Sequence, residues 1–190
     1  MVRRDTRQRI QDAALAVFAE RGFEQATLRE IAERLEITRP ALYYHFKTKE
    51  EILDAAMSDL LVQLDDMIAW AEGQPREIAT YRELLTRFAL LLIDRVPLVM
   101  RLMQAEGRVR SRLVEQTMAV LALLTPPDPT PAEQLRARGA LTTVLVANAP
   151  LPLKPDVPKA ERARMAVEIA VELLDPARAH AVSTASHSQP

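Results

Sequence analysis

From Thr6 onward the apolar positions of the chain recur at helical intervals and nowhere settle into strict alternation. Ile10, Ala14, Val17 and Phe18 fall on one face, and Gly22 follows as a C-terminal stop, so the pattern predicts a helix over 6–21 with Phe23 folding back onto the core. Thr27-Leu-Arg-Glu30 has the form of a capping box, and Leu28, Ile31, Ala32 and Leu35 behind it predict a short helix over 28–35. Thr38 can cap a third helix over 39–46, with Pro40 in its first turn and Leu42 and Phe46 pointing inward. A second box, Thr48-Lys-Glu-Glu51, opens a long helix with Ile52, Leu53, Ala56, Leu60, Leu64 and Ile68 at core spacing, ended by Gly73 and Pro75. Further helices are predicted over 77–94, 98–105, 109–124, 132–149 and 159–174, separated by Pro97 and the Pro-rich runs Thr125–Pro131 and Pro150–Pro158. The residues after Ala179 read as a disordered tail.

The fold class is therefore all-α, and the expected organisation is a small domain over 1–50, a larger helical domain over 51–178 and a tail over 179–190. Composition supports this. Hydrophobic residues make up 48% of the 190, aromatics only 4%, and there are four glycines. Without cysteine there is no disulfide frame, thiol nucleophile or thiolate metal site, and His180 and His187 have no acidic partner at ligand spacing. No metal and no cofactor is expected. No stretch reaches the roughly 18 uninterrupted apolar residues of a membrane span, and MVRRDTRQR is not followed by the apolar run of a secretory signal. The expectation is a cytoplasmic protein without a membrane partner. Nothing has the form of GxSxG, a P-loop, GxGxxG or HExxH, so an enzyme is not expected.

Net charge is −1, but the first 50 residues carry ten basic side chains against eight acidic ones. That small surplus acquires meaning from placement. Two short helices joined by a tight turn, with 6–21 packed behind them, have the spacing of a helix-turn-helix, whose second helix enters the major groove of double-stranded DNA. Its outward positions would be Arg39, Pro40, Ala41, Tyr43, Tyr44 and Lys47. The Arg39 fork suits guanine O6 and N7, and Pro40, Ala41 or a Tyr edge can meet a thymine methyl. Tyr43, His45 and Lys49 suit phosphate, as does the positive end of the helix opening at Thr48. Arg3, Arg4, Arg7 and Arg9 form a basic arm.

The stretches AVFAERGFEQATLREIAERL and ITRPALYYHFKTKEEIL carry a resemblance. Through Gly22-Phe23, Thr27, Ile31-Ala32, the run Leu42-Tyr43-Tyr44-His45-Phe46 and Lys49-Glu50, residues 6–53 resemble the DNA-binding domain of TetR-family repressors. The resemblance implies that Arg29, Thr38, Arg39, Pro40, Ala41, Tyr43, Tyr44, His45 and Lys49 face DNA. One departure stands in the turn, where the family often has Ala-Gly and this chain has Leu35-Glu36. A Glu held there at positive φ costs roughly 1 kcal/mol. The resemblance further implies a homodimer built from the last two long helices, on the stripes Leu141, Val144, Leu145, Ala149 and Ala166, Ile169, Ala170, Leu173, Leu174. Such a dimer sets its two reading helices about 34–36 Å apart on a palindromic operator. It also implies a cavity for a small effector, for which the lining candidates are Trp70, Phe88, Leu91, Leu92, Met100, Met103, Gln104 and Met118. Few charges fall among them, so the expected effector is mainly apolar, and methionine walls adapt to varied shapes. The expected function is that of a repressor released from its operator by this effector.

Overall fold

A computed structural model describes residues 5–93, 95, 108–147 and 157–175. Among them are eight helices and no strand: α1 (Thr6–Arg21), α2 (Leu28–Arg34), α3 (Arg39–His45), α4 (Lys49–Glu72), α5 (Ile78–Leu92), α6 (Arg108–Leu123), α7 (Pro131–Ala147) and α8 (Lys159–Leu174). The helix predicted over 98–105, with Met100, Met103 and Gln104, lies outside the described residues, as do Arg3, Arg4 and the tail. The chain divides into two compact units, Met1–Val62 with Asp94–Arg110 and Gln63–Ile93 with Ser111–Pro190, so the boundary falls inside α4.

In the first unit, α1 packs on α2 and α2 on α3. The interior is built from Ile10, Ala14, Leu15, Val17 and Phe18 of α1, Ile31 and Ala32 of α2, Leu42 and Phe46, and Ile52, Leu53 and Ala56 of α4. Local chemistry sets the helix ends. Gly22 takes φ 79° and donates its N–H to Phe18 O at 3.0 Å, closing α1 in a conformation that would strain a side chain. Phe23 folds back with its ring edge-on to Phe18, centroids 5.1 Å apart. The Thr27 box forms in both directions: Glu30 N–H donates to Thr27 Oγ1 at 3.2 Å and Thr27 N–H to Glu30 Oε2 at 2.9 Å. The Thr27 hydroxyl also donates to Glu30 Oε2 at 2.9 Å, and that bond, followed by the one from the Thr27 N–H, holds the Glu30 carboxyl below the usual glutamate range.

The second predicted box forms only by half. Glu51 N–H donates to Thr48 Oγ1 at 3.1 Å, but the Glu51 carboxylate reaches one residue further back and accepts from Lys47 N–H at 2.7 Å. A box absent from the sequence reading opens α7, with Thr130 and Glu133 bonded reciprocally at 2.7 and 3.3 Å. The Pro-rich run Thr125–Pro131, which by its composition predicts only loop, thus supplies this cap.

In the second unit, α5 and α7 both pack on α8. Leu84, Leu85, Phe88 and Ala89 of α5 meet a seam rich in small residues: Ala137, Ala140 and Val144 on α7, and Ala163, Ala166 and Ala170 on α8. This corrects four positions of the stripes assigned to a dimer. Leu141, Val144, Ala166 and Ala170 are buried within one chain, because amphipathic helices must first bury their faces against each other. Arg76 closes the C-terminal end of α6 by donating to the Ala122 and Thr125 carbonyls. Asp65 of α4 accepts from Gln116 Nε2 at 2.6 Å and pairs with Arg112.

Candidate nucleic-acid interface

The turn between α2 and α3 has the hydrogen bonds of a Schellman motif. Ile37 N–H donates to Ala32 O and Glu36 N–H to Glu33 O, each at 3.1 Å. The motif requires a left-handed residue at its pivot, and Glu36 occupies it at φ 53°. It is the one non-glycine residue at positive φ among the described residues. Thr38 then caps α3, its hydroxyl accepting from Ala41 N–H at 3.3 Å, with Pro40 in the first turn where no amide partner is lost.

Seven residues long, α3 presents two faces. Leu42 and the following Phe46 are sealed into the core, while Arg39, Pro40, Ala41, Tyr43 and Tyr44 stand outward, Tyr44 81% exposed. His45 is half-buried, its ring edge-on to Tyr44 with centroids 5.2 Å apart. The exposed set combines a guanidinium, small apolar surface and phenolic hydroxyls. That chemistry matches base edges, thymine methyls and phosphate oxygens respectively.

Several cations of the domain, among them Arg29, Lys49 and Arg7 that the sequence places at this surface, are engaged within it. Arg29 Nε donates to Glu33 Oε1 at 2.6 Å along α2. Arg34 holds Glu20 through two bonds of 2.7 Å, and Arg21 lies 3.9 Å from Glu30. Lys49, expected at phosphate, instead donates from Nζ to the Phe23 and Glu24 carbonyls at 2.8 and 2.9 Å, with the Phe23 ring 4.7 Å away. Those loop carbonyls lie past the end of α1, where no helical amide reaches them. Arg7, expected in a basic arm, donates from Nη1 to His45 O at 3.2 Å and lies 4.2 Å over the Phe46 ring. Contacts that span 25 and 38 residues of sequence leave no local signal. Among the described residues, Arg39 enters none of the domain's ion pairs.

The effector candidates disperse. Phe88 and Leu92 are core residues. Trp70, half-buried, carries the Arg87 guanidinium 3.9 Å over its ring. Leu91 lines a recess of about 260 Å³ with Gln63, Asp66, Met67 and Arg87. Met118 is 56% exposed and so is corrected from cavity wall to surface, since a flexible thioether at a helical position fits either environment. Met100, Met103 and Gln104 lie outside the described residues.

Residues 10–56 match the family model described as bacterial regulatory proteins, tetR family. Over that segment the chain is similar to the TetR family. The HTH-type transcriptional regulator SrpR of Pseudomonas putida is 50% identical over 54 residues, covering 28% of this chain and 25% of that protein. The tetracycline repressor protein class D of Escherichia coli is 37% identical over 68 residues, covering 36% and 31%. The match thus spans about a quarter to a third of the length of these curated relatives. Beyond it, the chain shares its fold with solved structures. Mycobacterium smegmatis AmtR superposes with a TM-score of 0.64 at 22% identity, covering 90% of this chain and 86% of that one. The ketosteroid transcriptional regulator KstR2 of Mycobacterium tuberculosis gives 0.65 at 20%, covering 92% and 96%. Among the described residues no helix is long and apolar enough to cross a membrane, and no cluster of His, Cys, Asp and Glu could hold a metal.

Proposed function

We propose that the chain is a transcriptional repressor that binds a palindromic operator as a homodimer and is released by a small, mainly apolar effector. The observation that carries the DNA-binding part is the outward face of α3. A seven-residue helix capped at Thr38 and pinned by Leu42 and Phe46 presents Arg39, Pro40, Ala41, Tyr43 and Tyr44 together. Arg29, Thr38, His45 and Lys49 complete the proposed contact set. Lys49 retains one of its three protons beyond the two loop carbonyls.

Dimerisation is supported by what α7 and α8 leave uncovered. Val146, Met165, Ile169 and Leu173 are exposed, and an apolar groove of about 540 Å³ runs between Thr142, Val146 and Ala147 on one side and Met165 and Ile169 on the other. A second copy covering this face removes that surface from water. For the effector, the second unit supplies Trp70, Leu91 and their neighbours; a small molecule regulates DNA binding only by favouring one of two states.

The test is selection of duplexes from a random pool by the full chain, followed by fluorescence anisotropy on the selected and a random duplex at several salt concentrations, with Arg39→Ala alongside. Tight binding to the selected duplex that weakens steeply with salt and loses preference in the variant supports the reading. Failure to enrich any duplex, with no binding to random DNA at low salt, overturns it.

A further inference from the structure

Two turns of helix are too short to hold their own direction, so α3 depends on tertiary ties at both ends. Its N-terminal end follows the Schellman turn and the Thr38 cap. Its C-terminal end is held by different contacts. Phe46 N–H donates to Leu42 O at 3.0 Å, and Lys47 Nζ donates to Tyr43 O from the helix's own continuation. The long-range tie comes from the first turn of α1, where Arg7 meets both His45 O and the Phe46 ring. The base of that tie is fixed, since Ile10 and Ala14 one and two turns on are fully buried.

A guanidinium fits this position for three reasons. Its plane can donate along the edge to the carbonyl while its face lies on the aromatic ring, which an ammonium cannot do with one geometry. The last carbonyls of α3 are the negative end of the helix, which favours a cation. The same side chain also covers Phe46, which is 1% exposed.

Resting on the DNA-reading role proposed for α3, we propose that Arg7 is a positioning residue: it ties the C-terminal end of α3 to α1 and thereby sets how Tyr43 and Tyr44 meet DNA. It does this in place of gripping phosphate as an arm. Without the tie, α3 pivots about its capped N-terminal end, and the side chains furthest from Thr38 move most.

The test uses the full chain with Arg7→Ala, Arg7→Lys and Arg9→Ala, the last removing the same charge from the exposed face of the same helix. Amide hydrogen exchange without DNA reads the tie directly. Anisotropy on a duplex selected by the unaltered chain, and on a random duplex, reads its consequence. The expected result is faster exchange at the C-terminal turn of α3 in Arg7→Ala. The ratio of selected to random binding falls about tenfold, the scale of one lost base contact, and the salt dependence is kept. Arg7→Lys lies between, and Arg9→Ala leaves exchange and ratio alone. Unchanged exchange in Arg7→Ala overturns the tie. Equal loss on both duplexes, with the logarithmic salt slope reduced by about 0.9, overturns it in favour of a phosphate arm. If the unaltered chain selects no duplex, the DNA-reading proposal fails, and the exchange arm still decides whether Arg7 holds α3.

Discussion

Replacing Glu36 with glycine should stabilise the protein, although it shortens a side chain and adds backbone freedom to the unfolded state. At φ 53° the Glu36 Cβ crowds the following carbonyl, at a cost of about 1–2 kcal/mol for an L-residue. Glycine removes that cost and gives back about 0.5–1 kcal/mol through the wider freedom of the unfolded chain. The difference is a net gain of about 0.5–1 kcal/mol. The hydrogen bonds of the turn are backbone bonds, Ile37 N–H to Ala32 O and Glu36 N–H to Glu33 O, so they survive the change. For a chain of 190 residues, each kcal/mol moves Tm by about 2–4 °C, so Glu36→Gly should raise Tm by roughly 1–4 °C. Glu36→Ala is the control, since it removes the carboxylate and keeps Cβ; it should fall within about 0.5 kcal/mol of the parent. Thermal and urea unfolding at neutral pH, followed by circular dichroism, measure both. A gain in Glu36→Ala equal to that in Glu36→Gly would refute the argument, because the carboxylate and not the backbone would then be the source of strain.

Other expectations can be checked alongside. Arg39→Ala should cost about 1–3 kcal/mol on the selected duplex and relax preference at one base position, read by anisotropy across single-base variants. Lys49→Met keeps the stem and removes the donor from the Phe23 and Glu24 carbonyls; urea unfolding should show a loss of about 1 kcal/mol, and no loss would mean the contact is not structural. Because their Thr partners depress the carboxyls of Glu30 and Glu133, the stability these caps contribute is complete above the ordinary glutamate value of about 4.3 and is lost as pH falls through the lower folded values. Glu30→Gln and Glu133→Gln should therefore flatten the acid side of the Tm-against-pH curve, and an unaltered acid side would contradict the cap assignment. Ile169→Glu places a charge in the uncovered α7–α8 groove and should halve the mass seen by sedimentation if two copies meet there.

Helix limits in the first unit were legible because the groups that set them lie within a few residues. Gly22, the Thr27–Glu30 box and Thr38 with Pro40 each act on neighbouring amides, and α1 spans the range that its spacing predicted. The outward and inward faces of α3 were legible for the same reason, since Leu42 and Phe46 share one face. Partners were not legible. An apolar stripe shows that a face is covered but not by what, which is how Leu141, Val144, Ala166 and Ala170 came to be assigned to a second copy while α7 and α8 bury them against neighbours in the same chain. A cation's sign is visible in sequence, but not where a long flexible stem carries it, so Arg7 and Lys49 read as free charge. Glu36 was the opposite case: a residue type at odds with its position marked a strained backbone that the structure contains.

The inward use of the domain's cations bears on how such a protein would search a genome. With Arg34 and Arg21 facing carboxylates and Arg7 on a carbonyl, fewer of the described charges are left to release counterions from arbitrary sequence. If the chain binds DNA as proposed, bulk chromosomal DNA would then act as a shallow sink and each non-specific encounter would be brief. On the DNA-reading role proposed for α3, occupancy of a specific site would be set mainly by the few groups on that helix.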